Sequence, residues 1–157
     1  MQLNQKKSKF SMCNPIHNLS TGFGIGFVPY MPGTIASVVA IFIWNYIKNI
    51  FIYNWYIIFI FILISGYFCD KTTKALSYHD HPCIVLDEFI GMWLILLLNN
   101  TNDFYHISVS FIVFRIFDIW KPYPIQLIHK NILNGFGIVL DDIIAGIYSV
   151  IILKILI

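Results

Sequence analysis

The chain has 157 residues, of which 58% are apolar and only 11% charged, with a formal net charge of +2. Soluble globular domains carry about a quarter of their residues as charges, so this composition argues for a membrane solvent, in which lipid-facing side chains need no charge. The length excludes a second core, the small charge without a basic stripe excludes a nucleic-acid partner, and Cys13, Cys69 and Cys83, with no CxxC pair, exclude a disulfide framework or a zinc site and read as reduced thiols.

Segment 1–21 is polar and carries Lys6, Lys7 and Lys9 without an apolar stretch, so no cleavable signal peptide is expected. Gly22, Gly24, Gly26, Pro29, Pro32, Gly33 and Thr34 then form a Gly/Pro-rich loop leading into a helix, with Thr34 as its predicted N-cap. A plain turn is the default reading of such a loop, but backbone N–H groups at a helix start also bind anions. The run from Ile35 to Ile47 is apolar, and Ile50–Cys69 is the clearest membrane span, uncharged and long enough for a hydrocarbon core of about 30 Å. Lys48-Asn49 between them predicts a tight helical hairpin. Lys71 and Lys74 follow on the side of the lysine-bearing N-terminus, which places both ends in the cytoplasm.

Further on, His79-Asp80-His81 is the one local candidate for a zinc-like site, but histidines two apart do not share a helical face, so a polar loop closing over a site is the preferred reading over a metal cage. Asp87-Glu88 opens the apolar run Phe89–Leu98, Asn99 to Asp103 is a polar turn, and Tyr105–Phe114 is a further apolar run. Arg115, Asp118 and Lys121, spaced by three, fall on one face of a helix that ends before Pro122 and Pro124. A loop, Asn134-Gly135-Phe136-Gly137, precedes Asp141-Asp142, which opens the run Ile143–Leu153. These later runs are short for a bilayer, so the number of spans stays open. The fold class is all-α: a multihelical, membrane-embedded bundle with short helices and Gly/Pro-rich loops around a carboxylate site, forming one domain over 1–157.

The acids lie beside apolar runs, where an ionised group is costly unless it is paired or binds a metal. One acid at each helix start suits the helix dipole; two adjacent pairs are more than the dipole explains. Val85 to Gly91 also matches Val139 to Ala145 in pattern, with small Gly91 and Ala145 three positions after the second acid. The expectation is that the two helix starts meet, with Asp87, Glu88, Asp141 and Asp142 as ligands of Mg²⁺, a hard cation that shares carboxylates with phosphate. Arg115-Asp118 admits two readings: an ion pair bracing the bundle, or a phosphate grip in which Arg115 and Lys121 hold oxygens and Asp118 orients Arg115 or joins the metal shell.

Four ordered blocks, GFGIGFVPYMPGTIAS (22–37), HDHPCIVLDEFIGMW (79–93), FRIFDIWKPYPI (114–125) and NGFGIVLDDIIAG (134–146), resemble the phosphatidylglycerophosphatase A family across nearly the whole chain. The resemblance implies Mg²⁺-dependent dephosphorylation of phosphatidylglycerophosphate to phosphatidylglycerol at the bacterial inner membrane; the apolar runs and flanking lysines, read separately, lead to the expectation of a multi-pass protein with its active site facing the cytoplasm. None of the candidates read from the charges and loops is missing from the matching blocks: Asp87, Asp141, Asp118, Arg115 and Lys121 are expected to be catalytic, and Gly33, Thr34, His79, Asp80, Arg115 and Lys121 to contact substrate. Asn134 and Met92 stand where relatives often have glycine and glutamine.

Other phosphatase chemistries lack their residues here: there is no Cys-x₅-Arg loop, no second arginine for an acid-phosphatase-like site and no DxDx[TV] motif. What remains is metal-assisted, in-line attack of water on phosphorus with Asp87 or Asp141 as general base, or a covalent aspartyl-phosphate. The competing class is a small ion-coupled transporter, which also uses buried acids and glycine-broken helices; it requires acids along a path rather than at one face. A CDP-alcohol phosphotransferase needs a longer aspartate motif than Asp141 to Gly146 supplies. The oligomeric state is left open.

Overall fold

A computed structural model describes residues 9–78, 81–100 and 103–156. These form seven α-helices: α1 (Pro15–Ser20), α2 (Pro32–Tyr53), α3 (Ile57–Leu76), α4 (Leu86–Asn99), α5 (Phe104–Trp120), α6 (Ile125–Asn131) and α7 (Gly135–Leu156), with a 3-10 turn at Ile25–Phe27 between the first two. No strand occurs among the described residues. The all-α expectation holds.

Several boundaries differ from those expected. Helix α2 begins at Pro32, whose missing N–H costs nothing in a first turn; its N-cap is Met31 at φ 49°, and Thr34 already lies inside the helix. The long uncharged stretch breaks at Asn54 rather than at Lys48-Asn49. Asn54 is the C-cap: its backbone N–H still bonds the Ile50 carbonyl at 3.1 Å, but its φ of −133° takes the chain out of the helix, while its side-chain N–H donates to the same carbonyl at 3.3 Å and its side-chain oxygen accepts from the Tyr56 hydroxyl at 3.1 Å. Ile50–Cys69 is therefore not one span but the end of α2 and the start of α3.

The late apolar runs grow into full helices by absorbing their polar flanks. Asn134, expected in a loop, caps α7 by accepting the Gly137 N–H at 3.0 Å. Asp141 and Asp142 thus sit in the second turn of α7 rather than at its start. Two helices, α2 (Pro32–Tyr53) and the Gly135–Ile155 part of α7, are long and apolar enough to cross a membrane.

Helix α7 is central and packs against α3, α4, α5 and α6, its most extensive partner being α4. Small residues permit that contact. A β-carbon on Gly91 would stand 2.7 Å from the Phe114 ring and 3.2 Å from the Asp142 carbonyl oxygen, and one on Gly146 would stand 3.3 Å from the Gly91 carbonyl. Ala145 is fully buried. On the other side, α2 is fixed to α4 where the Trp93 indole N–H donates to the Ala40 carbonyl at 2.9 Å, beside the Trp44, Phe51 and Trp93 rings. Phe42, Tyr46, Phe59, Leu63, Ile112 and Ile151 face outward. An apolar exterior of this extent is rare on a soluble monomer and suits lipid contact.

This packing brings the first turns of α2, α4 and α7 to the same end of the bundle as the last turns of α3 and α5. Asp70, near the end of α3, accepts the Gly135 N–H at the start of α7 at 3.4 Å.

Candidate functional site

Helix α4 delivers its acids because the segment before it is pinned. The Val85 N–H donates to the Ser20 carbonyl at 2.9 Å, and Gly26 lies so close to Cys83 that a β-carbon would meet its carbonyl oxygen at 1.9 Å. The Gly/Pro-rich loop and the 81–85 segment therefore fix each other, and Asp87 and Glu88 start α4 facing inward, in a first turn whose dipole favours negative charge. From α7, Asp142 meets them. Asp87, Glu88 and Asp142 each offer an oxygen within 4.8 Å of the other two.

Asp87 and Asp142 are buried, 6% and 2% exposed, and Glu88 is partly buried. Burial, then the neighbouring charge of Asp142, pushes the Glu88 carboxyl up to about 8. Among the described residues Glu88 Oε2 and Asp142 Oδ2 accept no hydrogen bond, and Arg115 Nε donates none. Converging, desolvated carboxylates with unused lone pairs are a poor structural device but a good ligand set for a hard divalent cation such as Mg²⁺. The site residues fit that ion.

Around this trio lies a cavity of about 360 Å³. Helix α2 contributes Gly33 and Thr34, the end of α5 contributes Arg115, Asp118 and Lys121, and the three acids form the remaining polar wall. Arg115 donates to Asp118 across 2.5 Å, both side chains being largely buried.

The predicted row of Arg115, Asp118 and Lys121 divides, because Lys121 is the C-cap of α5 at φ 45° and its backbone leaves the helix. Lys121 Nζ instead lies 2.5 Å from Asp141 Oδ2. His129 of α6 joins them, its Nδ1 2.9 Å from the same oxygen and 3.3 Å from Lys121 Nζ. Of the four acids expected to share a metal, three come together, while Asp141 faces Lys121 and His129 beside them.

His129 carried no sequence signal, since twelve residues and a helix break separate it from Asp141. The polar loop expected over the site falls on His79 and Asp80, which lie outside the described residues; His81 accepts the Cys83 N–H at 3.2 Å. Asp87, Glu88, Asp118, Asp141 and Asp142 gather at one end of the bundle instead of along a path through it, which is the arrangement a hydrolytic site requires and a transport pathway lacks.

Comparison with known proteins agrees with this geometry. The family model for phosphatidylglycerophosphatase A matches residues 18–157. Phosphatidylglycerophosphatase A of Escherichia coli (strain K12) is 44% identical over 145 residues, covering 91% of this chain and 84% of that protein. The protein of the same name from Haemophilus influenzae is 38% identical over 154 residues, covering 97% and 94%. A Bacteroides thetaiotaomicron protein, named provisionally as a phosphatidylinositol-3-phosphatase, is 31% identical over 144 residues, covering 87% and 90%. No solved structure matches the chain.

Proposed function

The chain belongs to the phosphatidylglycerophosphatase A family, and on that premise we propose that it hydrolyses the phosphate monoester of phosphatidylglycerophosphate, releasing phosphate and phosphatidylglycerol for phospholipid synthesis. The observation that carries this reading is the convergence of three carboxylates, buried Asp87 and Asp142 and partly buried Glu88, with unused lone pairs on two of them, on one cavity that also holds Arg115.

Asp87, Glu88 and Asp142 would hold Mg²⁺. When bound, the ion neutralises charge on the phosphoryl oxygens and raises the acidity of water. Arg115, kept in place by Asp118, presents its guanidinium to two phosphoryl oxygens. Asp87 accepts the proton of the attacking water as the oxygen–phosphorus bond forms. Opposite it, the bond from phosphorus to the glycerol oxygen breaks, and Lys121, oriented by Asp141 and His129, supplies the proton that oxygen needs. Gly33 and Thr34 bound the head group where α2 begins.

The membrane setting rests on α2 and α7, each long and apolar enough to span. Lys71 and Lys74, near the end of α3, stand at the same end of the bundle as the site, which favours a cytoplasmic site at the bacterial inner membrane.

The test is phosphate release from phosphatidylglycerophosphate by purified protein in detergent, with Mg²⁺ or with EDTA, beside Asp142→Asn. Mg²⁺-dependent release that is lost in the variant supports the reading. Folded protein that releases nothing in Mg²⁺ would overturn it, and release undiminished by EDTA would overturn the metal assignment.

A further inference from the structure

A second, wholly different surface begins where the catalytic cavity ends. Between α2 and α5 runs a groove of about 440 Å³ that shares Met31, Thr34, Arg115 and Ile119 with that cavity. Beyond those residues its wall is Phe111, Ile112, Ile116 and Trp120, with no polar side chain added. Phe111 and Ile112 also line a neighbouring hollow of about 470 Å³, with Val38, Ile41 and Phe42 and, further along α2 and α5, Asn45 and Ser108. The polar site and the apolar groove thus adjoin, with Arg115 and Thr34 lining both.

The dimensions and chemistry point to one ligand. From Thr34 to Asn45 the groove follows eleven residues of α2, about 16 Å at the rise of an α-helix. That is close to half of the roughly 30 Å hydrocarbon core, the depth over which a chain extends within one leaflet. A hydrophilic phosphomonoester would use only the polar end. A molecule with a phosphate at one end and a long hydrocarbon at the other would use all of it.

We propose that the α2/α5 groove holds one acyl chain of the lipid phosphate substrate and thereby sets where its phosphate lies. The assignment rests on the lipid-phosphatase reading above and extends it to a chain-binding track. Lipid tails in the bilayer are already in an apolar medium, so the groove adds little affinity. Its contribution is position: a seated chain confines the head group beside Arg115 and the acids, and displacement of a reacting group by about 1 Å can cost on the order of a hundredfold in rate.

The test uses long-chain phosphatidylglycerophosphate with a diazirine midway along one acyl chain, photolysed with the full-length protein in nanodiscs. Adducts are mapped by mass spectrometry, and phosphate release is measured in the same preparation. Adducts concentrated on Val38, Phe42, Phe111 and Ile112, and suppressed by unlabelled substrate, are expected. Adducts spread equally over the outer face of α3, at Phe59 and Leu63, would show bulk lipid contact and overturn the groove, as would protein–protein crosslinks showing a second copy seated there.

The kinetic arm compares long-chain substrate with its dibutyryl analogue. Ile112→Trp, which fills the groove, should lower the long-to-short ratio of kcat/KM by about tenfold or more, whereas Leu63→Trp on α3 should keep the wild-type ratio. An unchanged ratio in Ile112→Trp overturns the proposal. Groove labelling without phosphate release would retain the groove and remove the enzymatic reading; release with uniform labelling would do the reverse.

Discussion

Gly33 and Glu88 share a space too small for a methyl group: a β-carbon on Gly33 would stand 2.1 Å from Glu88 Oε1 and 3.2 Å from Arg115 Nη1. The first turn of α2 is therefore the wall against which the Glu88 carboxylate, proposed to hold the metal, and the Arg115 guanidinium, proposed to grip phosphate, are both set. The obstructed atom is the end of a flexible side chain, so Gly33→Ala should fold, with Glu88 pushed off its position. Mg²⁺ affinity should fall by roughly 10- to 100-fold, the usual cost of disturbing a group that orients a ligand. Titration calorimetry with Mg²⁺, beside a melting curve, measures it; unchanged affinity would remove Gly33 from the site.

The metal-free cluster makes stability depend on pH. Glu88, held near 8 instead of the ordinary 4.5, favours folding in its protonated form. That stability is complete below the ordinary value and is lost as pH rises through about 8. The Tm of EDTA-treated protein should fall between about pH 5 and about pH 9, Glu88→Gln should flatten the fall, and Mg²⁺ should raise Tm most at the alkaline end. Near neutral pH, Mg²⁺ binding should release protons, visible as a buffer-dependent heat. A wild-type profile as flat as that of Glu88→Gln argues against this coupling.

Lys121 allows backbone and charge to be separated. Its φ of 45° suits glycine better than lysine. Lys121→Gly should therefore keep Tm at or above the wild-type value while kcat drops by about 10²- to 10³-fold, the loss typical of removing one charge-stabilising donor. A large fall in Tm with the same fall in kcat would make Lys121 a structural brace.

His129 is placed to position Asp141 and Lys121. Asparagine puts its amide nitrogen where histidine has Nδ1, so His129→Asn should keep most of kcat, whereas His129→Ala should lose roughly tenfold or more, as outer residues of such sites do. Equal losses in the two variants would deny the Nδ1 contact any role.

The crossing of α4 and α7 tolerates no extra volume. Gly91→Ala places its methyl 2.7 Å from the fully buried Phe114 ring and close to the Asp142 backbone. The variant should lose about 1–3 kcal/mol of stability, read as a lower Tm in detergent, and Phe114→Leu in the same chain should recover part of it. No loss in Gly91→Ala would mean that the helices are less closely packed than described.

Much of this site was legible in the chain. Asp87-Glu88 and Asp141-Asp142 stood out because charge beside long apolar runs is expensive, and Gly91 with Ala145 announced that two helices approach closely. The helix ends were less legible. Asn54 ends α2, and Asn134 begins α7, through side-chain hydrogen bonds that depend on local backbone geometry, whereas hydropathy alone favoured a break at Lys48 and a start at Asp141.

By itself, then, the sequence determined the helical class and the family and singled out the candidate acids, since each follows from composition or from residue order. Only the tertiary structure decided which acids come together. Asp141 and Asp142 are neighbours in the chain, yet about 100° of helical rotation separates their side chains, sending one to Lys121 and His129 and the other to Asp87 and Glu88. That division depends on where α5 ends and where α6 returns, and no spacing along a single helix encodes it.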